Sequence, residues 1–260
     1  MTAHPQDLGL RAQAAAIATG ELDPQELLGA TFARIDARDS ELNAIAARDD
    51  GRAQEMLAAA PAGALHGVPI AVKDMFALPW WAPRSGSEHA VLEPGESAVF
   101  RRLRDAGAVV AGISNMHLFG LGTTGRVSAY GPIGNPWDVS RCGGGSSGGA
   151  TAAVGARLVA GAIASDSGGS TRLPSAYCGV TGLKFTFGAV PGDGYTARNM
   201  SLSAPGAVAR DAGDTRLLAE VLLDRRLPEA DGSHLTAGIV GGPLWDDVEP
   251  QTAARCREAL

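Results

Sequence analysis

Residues 141–150, RCGGGSSGGA, constrain this chain more than any other stretch, because half of them are glycine. Such a run cannot form the middle of a helix or strand, so it indicates a loop where backbone approaches other groups closely. Two known patterns overlap in it. A dinucleotide fingerprint, G-x-G-x-x-G, starts at Gly143, and a nucleophile elbow, G-x-S-x-G, starts at Gly144. The loop therefore has three candidate jobs: holding a phosphate, carrying a nucleophile, or turning a corner.

The surrounding sequence argues against a dinucleotide site and against a nucleophile elbow, although it excludes neither. A dinucleotide fingerprint follows a strand, whereas the preceding NPWDVSRC consists of turn-forming residues. A phosphate-binding Walker loop fails because no lysine follows the glycines. An elbow needs a preceding strand and a later histidine, and the only downstream histidine is His234, in a polar stretch. The remaining chain must supply a better explanation.

Composition excludes several classes of function. The formal net charge of -6 argues against a nucleic-acid partner, which requires a cationic surface. The N-terminus lacks a signal-peptide pattern, and the most apolar run, residues 150–164, is interrupted by Arg157 and is too short to span a bilayer. We therefore expect a cytoplasmic protein that binds neither nucleic acid nor membrane.

Cysteine and histidine give no sign of a metal or a disulfide framework. The three cysteines form an odd, unpatterned set that suits reduced thiols. Histidines 66, 89 and 117 are scattered singly, and a lone histidine is far more often structural or exposed than a ligand. No metal site is predicted.

Lysine is scarce in a way that draws attention to two positions. Among 22 basic residues only Lys73 and Lys184 are lysine. Arginine cannot lose its proton in a protein, whereas a buried lysine can become a neutral base. Chance is one explanation of the two survivors, and a chemical role for Lys73 is the other.

Periodicity and cap residues predict helices alternating with strands, hence an α/β fold with a sheet covered by helices. The predicted helices span residues 5–18, 23–35, 42–60, 97–106, 148–156 and 214–223, with another starting after Pro250. The predicted strands span residues 67–73, 107–112, 158–164, 182–185 and 237–240. Residues 135–147 and 190–205 are predicted to be turn-rich or loop. We expect one domain over 1–260: a helical layer at 1–62, a core at 63–223, and the start of a C-terminal portion at 224–260.

A third explanation of the glycine loop uses a second loop of small residues, SDSGGST at 165–171, together with Lys73. One predicted helix and one predicted strand separate Ser146 from Ser170, and that return can bring both loops to one sheet edge. Three ordered blocks here resemble the amidase signature family: GVPIAVKD at 67–74, GGSSGG at 144–149, and DSGGSTRLP at 166–174 followed by CGVTGLK at 178–184. The resemblance covers about residues 8–223 and implies a mixed β-sheet core flanked by α-helices, shortened at the C-terminus.

The resemblance implies a serine hydrolase that cleaves a carboxamide or urea-like C–N bond in a small molecule, without a cofactor. It implies that Lys73 is the base, Ser146 the bridging serine after a cis peptide bond from Gly145, and Ser170 the nucleophile. A serine hydroxyl needs a base, and lysine can serve only when burial keeps it neutral. It further implies an oxyanion hole built from the backbone N–H groups of Ser167, Gly168, Gly169 and Ser170.

Several neighbouring residues are assigned supporting roles by the same resemblance. Asp166 and Arg172 flank the second loop as scaffold ions, while Gly144 and Gly145 support the first. Trp80 and Trp81 follow the base strand; we favour a packing role for them, and a pocket wall selecting apolar acyl groups is the alternative.

Family chains usually continue for a further couple of hundred residues, so we expect a homodimer or a partner chain to cover an uncovered face of this one. Two other functions stay open: a glutaminase component of a tRNA-dependent amidotransferase, and a catalytically silent scaffold or half of a split assembly.

Overall fold

A computed structural model describes residues 4–197, 201–229, 231–232, 236 and 238–259. The chain divides into two compact units, Met1–Arg226 and Leu227–Leu260. The first unit contains the sheet and every residue to which the family resemblance assigns a role. Whether the chain acts as the single domain expected from sequence stays a prediction.

A six-stranded sheet forms the centre of the first unit, in the order β1-β3-β2-β6-β8-β7. Its strands are β1 (Ile45–Ala47), β2 (Pro69–Lys73), β3 (Val109–Ser114), β6 (Gly161–Asp166), β7 (Thr181–Lys184) and β8 (Ala204–Ala209). Strand β2 runs parallel to β3 and β6, whereas the other pairs are antiparallel. The sheet is therefore mixed, which confirms the predicted fold class. Strands β2, β3, β6 and β8 are buried along their whole length, and all their residues are apolar or small except Lys73 at the end of β2 and Asp166 at the end of β6.

Helices flank this sheet, and most begin at a side-chain cap. They are α1 (Leu10–Ala18), α2 (Pro24–Leu42), α3 (Asp50–Ala58), α4 (Ala98–Asp105), α5 (Gly148–Gly155), α6 (Arg172–Cys178) and α7 (Ala212–Leu223). The Asp23 carboxylate accepts from Gln25 N at the start of α2, and the Ser97 hydroxyl accepts from Phe100 N at the start of α4. Asp214 accepts from Leu10 N at 2.8 Å, so a distant residue caps α1.

The predicted helix at 42–60 is wrong at residues 43–49, where polar side chains end one helix and start another, and correct at residues 50–58. Asn43 takes a left-handed conformation and ends α2, and the Asp39 carboxylate accepts from Ala44 N and Ile45 N, which turns the chain into strand β1. Asp49 then caps α3 by accepting from Arg52 N. The alanine-rich helical periodicity of this segment gave no indication of either break.

Other boundaries also differ from the sequence predictions. Residues 5–18 divide into a 3₁₀ turn, Pro5–Asp7, and helix α1. The turn-rich segment before the glycine loop contains a two-stranded hairpin, β4 (Gly134–Asn135) and β5 (Asp138–Cys142). Strand β8 was missed altogether, because proline and glycine within APGAVA resemble loop sequence.

The second unit contains a 3₁₀ turn, Pro243–Trp245, and helix α8 (Pro250–Glu258), which confirms the helix predicted after Pro250. The strand predicted at 237–240 is wrong at residues 238–240, which are irregular, and Ala237 lies outside the described residues. Within the described part of the chain, no helix is long and apolar enough to cross a membrane.

Candidate active site

Lys73 occupies the carboxyl end of β2, beside the carboxyl end of the parallel strand β6. Ser165 and Asp166 are the last two residues of β6, and the second small-residue loop follows them. The glycine loop lies just before helix α5, whose first residue is Gly148. Carboxyl ends of neighbouring parallel strands share one sheet edge, so this topology brings all three blocks together.

The Lys73 ammonium group lies among three serine hydroxyls and is completely buried. Its Nζ is 2.7 Å from both Ser146 Oγ and Ser147 Oγ. Ser165 Oγ lies 2.8 Å away. Burial lowers the pKa of Lys73 to about 7, although the negative charges of Asp166 and Asp74 act in the opposite direction. At neutral pH a large fraction of the side chain is therefore an uncharged amine.

Two of the three hydroxyl protons are already committed elsewhere. Ser147 Oγ donates to Ser165 O at 3.1 Å, and Ser165 Oγ donates to Met75 Sδ at 3.2 Å. A hydroxyl has one proton to donate. Ser147 and Ser165 can thus only accept from Lys73, whereas the Ser146 proton remains free to point at the lysine lone pair.

The glycine loop is held by close backbone contacts. The Gly145–Ser146 peptide bond is cis, as the resemblance implied, and Gly144 has a positive φ of 82°. A Cβ atom at Gly149 would collide with the backbone oxygens of Asn115 and Ala44. Glycine at these positions therefore lets helix α5 approach the sheet, with no phosphate needed to explain the composition.

Asp166 organises the second loop. Its carboxylate accepts from Gly169 N at 2.8 Å and from Thr171 N at 3.1 Å, and Arg172 binds both oxygens at 3.0 Å. Burial opposes ionisation of this carboxyl, but hydrogen bonds from Arg172 and from the backbone outweigh it and hold the pKa of Asp166 below its ordinary value. The carboxylate is a structural centre around which the loop curls.

Ser170 is half-buried and lies next to the glycine loop, since Ser147 N donates to Ser170 O at 3.1 Å. Among the described residues, none accepts a hydrogen bond from the N–H of Gly168 or of Ser170. The Gly169 N–H, in contrast, is engaged by Asp166. This geometry leaves Gly168 and Ser170 better placed than Gly169 to bind an oxyanion.

Replacing Asp166 with alanine is expected to lower the free energy of unfolding by roughly 2–4 kcal/mol, because buried N–H groups and Arg172 lose their acceptor. The folded pKa lies below the ordinary value of 3.8, so this stabilisation is present above about pH 4 and disappears as pH falls through the folded pKa. Urea unfolding at neutral and acid pH measures both effects. An unchanged midpoint at neutral pH would contradict the scaffold role.

The two tryptophans lie apart from the serines. Trp80 packs edge-on against Phe100, with ring centroids 5.3 Å apart. Trp81 Nε1 donates to Asp74 Oδ1 at 2.9 Å, and the Arg84 guanidinium lies over the Trp81 ring. Both rings line a cavity of about 250 Å³ against strand β3. These contacts support the packing interpretation, and the pocket-wall role stays a prediction.

A different cavity, of about 520 Å³, is linked to the second loop through one lining residue, Ser203. Ser203 lines it, and Ser203 Oγ is 2.5 Å from Ser167 Oγ. Tyr195 also lines it and stacks on Phe76 at 4.9 Å. Its other lining residues are mostly apolar: Val91, Leu92, Phe187, Gly188, Val190, Gly192, Thr196, Ala197 and Pro205.

Sequence reasoning missed three residues of the site. Ser147 and Ser165 both contact Lys73; Ser147 lies within a matched block and Ser165 directly precedes one, yet a motif does not say which hydroxyl points inward. His117 is buried, and its backbone N–H donates to Ser146 O at 3.0 Å. His234, the base required by the nucleophile elbow, lies outside the described residues. No cluster of metal-binding side chains occurs in the described part of the chain.

The fold, the buried lysine and the two serine loops together define the first unit as an amidase-type α/β core. The profile of the Amidase family matches residues 26–237. The chain belongs to the amidase signature family.

Relatives and solved structures agree with this membership. A glutamyl-tRNA(Gln) amidotransferase component from Chromohalobacter salexigens is 40% identical over 279 residues, covering 98% of this chain and 57% of the relative. Peptide amidase from Stenotrophomonas maltophilia is 30% identical with a TM-score of 0.76, covering 86% of this chain and 51% of that one. A 6-aminohexanoate cyclic dimer hydrolase gives 30% identity and a TM-score of 0.79, covering 92% and 50%. The chain spans about half the length of the curated relatives it matches.

Proposed function

We propose that this chain is the catalytic core of an amidohydrolase that cleaves a carboxamide C–N bond through an acyl-enzyme on Ser170. Lys73 is the base, and Ser146 carries the proton between them. The observation that carries this proposal is a fully buried lysine with a pKa of about 7, surrounded by serine hydroxyls at 2.7–2.8 Å. Among the described residues no carboxylate forms an ion pair with Lys73, so no counter-ion in direct contact offsets the cost of burying its charged form.

Proton accounting supports Ser146 as the relay. A neutral amine has two N–H groups and one lone pair. Ser147 and Ser165 accept the two N–H groups, because their own protons are directed at Ser165 O and Met75 Sδ. The lone pair is then available to the Ser146 hydroxyl. Once Ser146 donates to Lys73, its oxygen can accept the proton of Ser170.

The reaction proceeds in two balanced halves. Ser170 Oγ attacks the carbonyl carbon while its proton passes to Ser146, and the Ser146 proton passes to Lys73. The C–N bond breaks as the same route returns a proton to the leaving nitrogen, which leaves an ester on Ser170. A water molecule then attacks this ester by the same relay and releases the carboxylic acid. The N–H groups of Gly168 and Ser170 support an oxyanion in both halves.

A linear amide with an apolar acyl group fits the surroundings of the second loop. The 520 Å³ cavity connects to that loop through the Ser203–Ser167 contact, and its lining is largely apolar. Desolvation of an apolar group contributes about 25 cal/mol for each Å² removed from water. We therefore propose this cavity, and not the tryptophan cavity, as the place for the acyl group.

Treatment with a fluorophosphonate tests the proposed function directly. The expected result is one adduct per chain, with the phosphorus bonded to Ser170 Oγ and fluoride released. Intact-mass measurement and peptide mapping locate the adduct. Ser170→Ala and Lys73→Ala should each abolish it, the first by removing the nucleophile and the second by removing the base.

The negative outcome of that labelling is equally informative. A folded chain that acquires no adduct would contradict an assembled site and favour the silent-scaffold alternative. Labelling that appears only with a second polypeptide would show that the site needs a partner. Edge strand β7 and the exposed side chains of Leu183 and Phe187 provide a surface for a second copy or partner chain.

A role within an amidotransferase complex is the second candidate, because the relatives reported above include a protein of that name at 40% identity. In that case the acyl donor is a primary amide whose ammonia passes to a partner. Comparing ammonia release from glutamine and from apolar amides distinguishes the two candidates. Release of ammonia from glutamine but not from apolar amides would favour the amidotransferase role.

A further inference from the structure

We propose that His117 is a positioning residue that holds loop 122–125 against the glycine loop while its ring is neutral, and releases it when the ring is protonated. This inference rests on the proposed function, because the glycine loop carries the proposed relay serine. No sequence motif includes His117, and its role comes from contacts made by both its backbone and its ring.

His117 links two segments that flank the relay serine. Its backbone N–H donates to Ser146 O at 3.0 Å. Its ring Nδ1 accepts from Gly125 N at 3.2 Å. An accepting Nδ1 carries no proton, so the neutral ring bears its proton on Nε2.

Loop 122–125 packs directly on the glycine loop. A Cβ atom at Gly145 would lie 2.7 Å from Gly122 O and 3.0 Å from Gly125 N. A Cβ at Gly125 would in turn collide with Gly144 O. Backbone therefore lies on backbone here, with no flexible side chain between the two loops to absorb a shift. Movement of Gly125 is transmitted to the peptide that precedes Ser146.

The ring is tightly enclosed on its other side. A Cβ atom at Gly122 would overlap the His117 ring, so the ring lies against the Gly122 backbone. The 122–125 loop thus covers His117 while His117 holds that loop at Gly125. Protonation adds a hydrogen to Nδ1, so two donors, Nδ1–H and the Gly125 N–H, would face each other. The hydrogen bond between them would then be lost.

The charges around the ring favour its neutral form. Burial, and then the positive charge of Lys73 on β2, lower the pKa of His117 below its ordinary value of 6.5. Loop 122–125 and Ser146 face the ring through backbone groups, and Arg126, next to Gly125, is exposed. The neutral ring therefore persists at neutral pH. Acidification protonates Lys73 first and His117 second.

Acid inactivation should consequently involve two protons. One proton on Lys73 lowers kcat/KM about tenfold per pH unit, and a second on His117 steepens the fall over the range where the ring titrates, adding roughly tenfold in total. His117→Asn places a non-titrating acceptor near the Nδ1 position. We expect it to retain more activity than His117→Ala and to show the one-proton fall only. His117→Ala should lose roughly tenfold in kcat with little change in KM, because Gly125 N–H has no acceptor.

The test combines these profiles with ¹⁵N NMR of the folded chain, which needs no activity. At slightly alkaline pH, His117 should be the Nε2–H tautomer, and the Gly125 amide resonance should follow the His117 titration. The same resonance should be unchanged in His89→Asn, which removes an exposed histidine.

Each outcome decides the inference. The inference is overturned by any of three results: an Nδ1–H tautomer of His117, a Gly125 resonance that does not follow the His117 titration, or pH profiles of kcat/KM with the same slope at acid pH in wild type and His117→Asn. A wild-type chain without any amidase activity contradicts the proposed function instead. In that event the NMR titration alone decides whether His117 holds the loop: a linked Gly125 resonance upholds the contact, and an unlinked one overturns it.

Discussion

Ser170→Ala is expected to lower kcat/KM for amide hydrolysis by roughly 10⁴–10⁶-fold, the loss typical when the nucleophile of a serine hydrolase is removed. The residual rate would come from the oxyanion-binding N–H groups, which alanine leaves in place. The fold should be unaffected, because the Ser170 backbone still accepts from Ser147 N. Steady-state kinetics on a chromogenic amide, with circular dichroism of the variant, measures both expectations.

Ser167→Ala is the matched control from the same loop. The Ser167 hydroxyl contacts Ser203 Oγ, and the role that the family resemblance implies for this residue uses only its backbone N–H. Its loss should be less than about tenfold. Equal losses in the two variants would contradict Ser170 as nucleophile and point to general disruption of the loop.

Lys73→Met is expected to lower kcat/KM by roughly 10³–10⁴-fold, because methionine fills the buried space without providing a base. In the wild type kcat/KM should rise with pH through a midpoint near the Lys73 pKa of about 7, since only the neutral amine accepts a proton. The variant should lose this midpoint. A pH profile of kcat/KM measures the effect.

Lys184→Met is the control for that substitution, and it removes the only other lysine. Lys184 Nζ donates to Phe185 O at 3.2 Å and takes no part in the proposed relay. Its activity and its pH midpoint should stay close to wild type. A midpoint that persists in Lys73→Met would assign the titration to another group and contradict Lys73 as the base.

The sequence predicted the site residues that belong to recognised motifs. It did not predict the residues whose role depends on contacts between distant parts of the chain. Blocks around Lys73 and the two serine loops were enough to predict the mixed sheet. The three-hydroxyl shell around Lys73 was not predictable, because the direction of Ser165 depends on how β6 lies beside β2, and that of Ser147 on how α5 packs against these strands. Local pattern carries no information about such pairing.

Two missed strands illustrate the same limit. Strand β8 contains proline and glycine, yet it pairs with β6 along six residues. Its small side chains allow neighbouring elements to pack closely on this part of the sheet. Strand β1 exists because Asp39 binds the N–H groups that follow α2. In both cases contacts made across the fold override the local preference of the chain.

If the chain hydrolyses amides as proposed, the pairing of β2 with β6, Ile70 opposite Gly161 and Val72 opposite Ile163, makes turnover a reporter of correct assembly. Side chains alternate between the two faces of a strand, so a slip by one residue would turn Lys73 to the opposite face, away from Ser165. Such a chain could still be compact and rich in secondary structure. It would be inert, so refolding yield measured by turnover counts only molecules whose central strands have found their register.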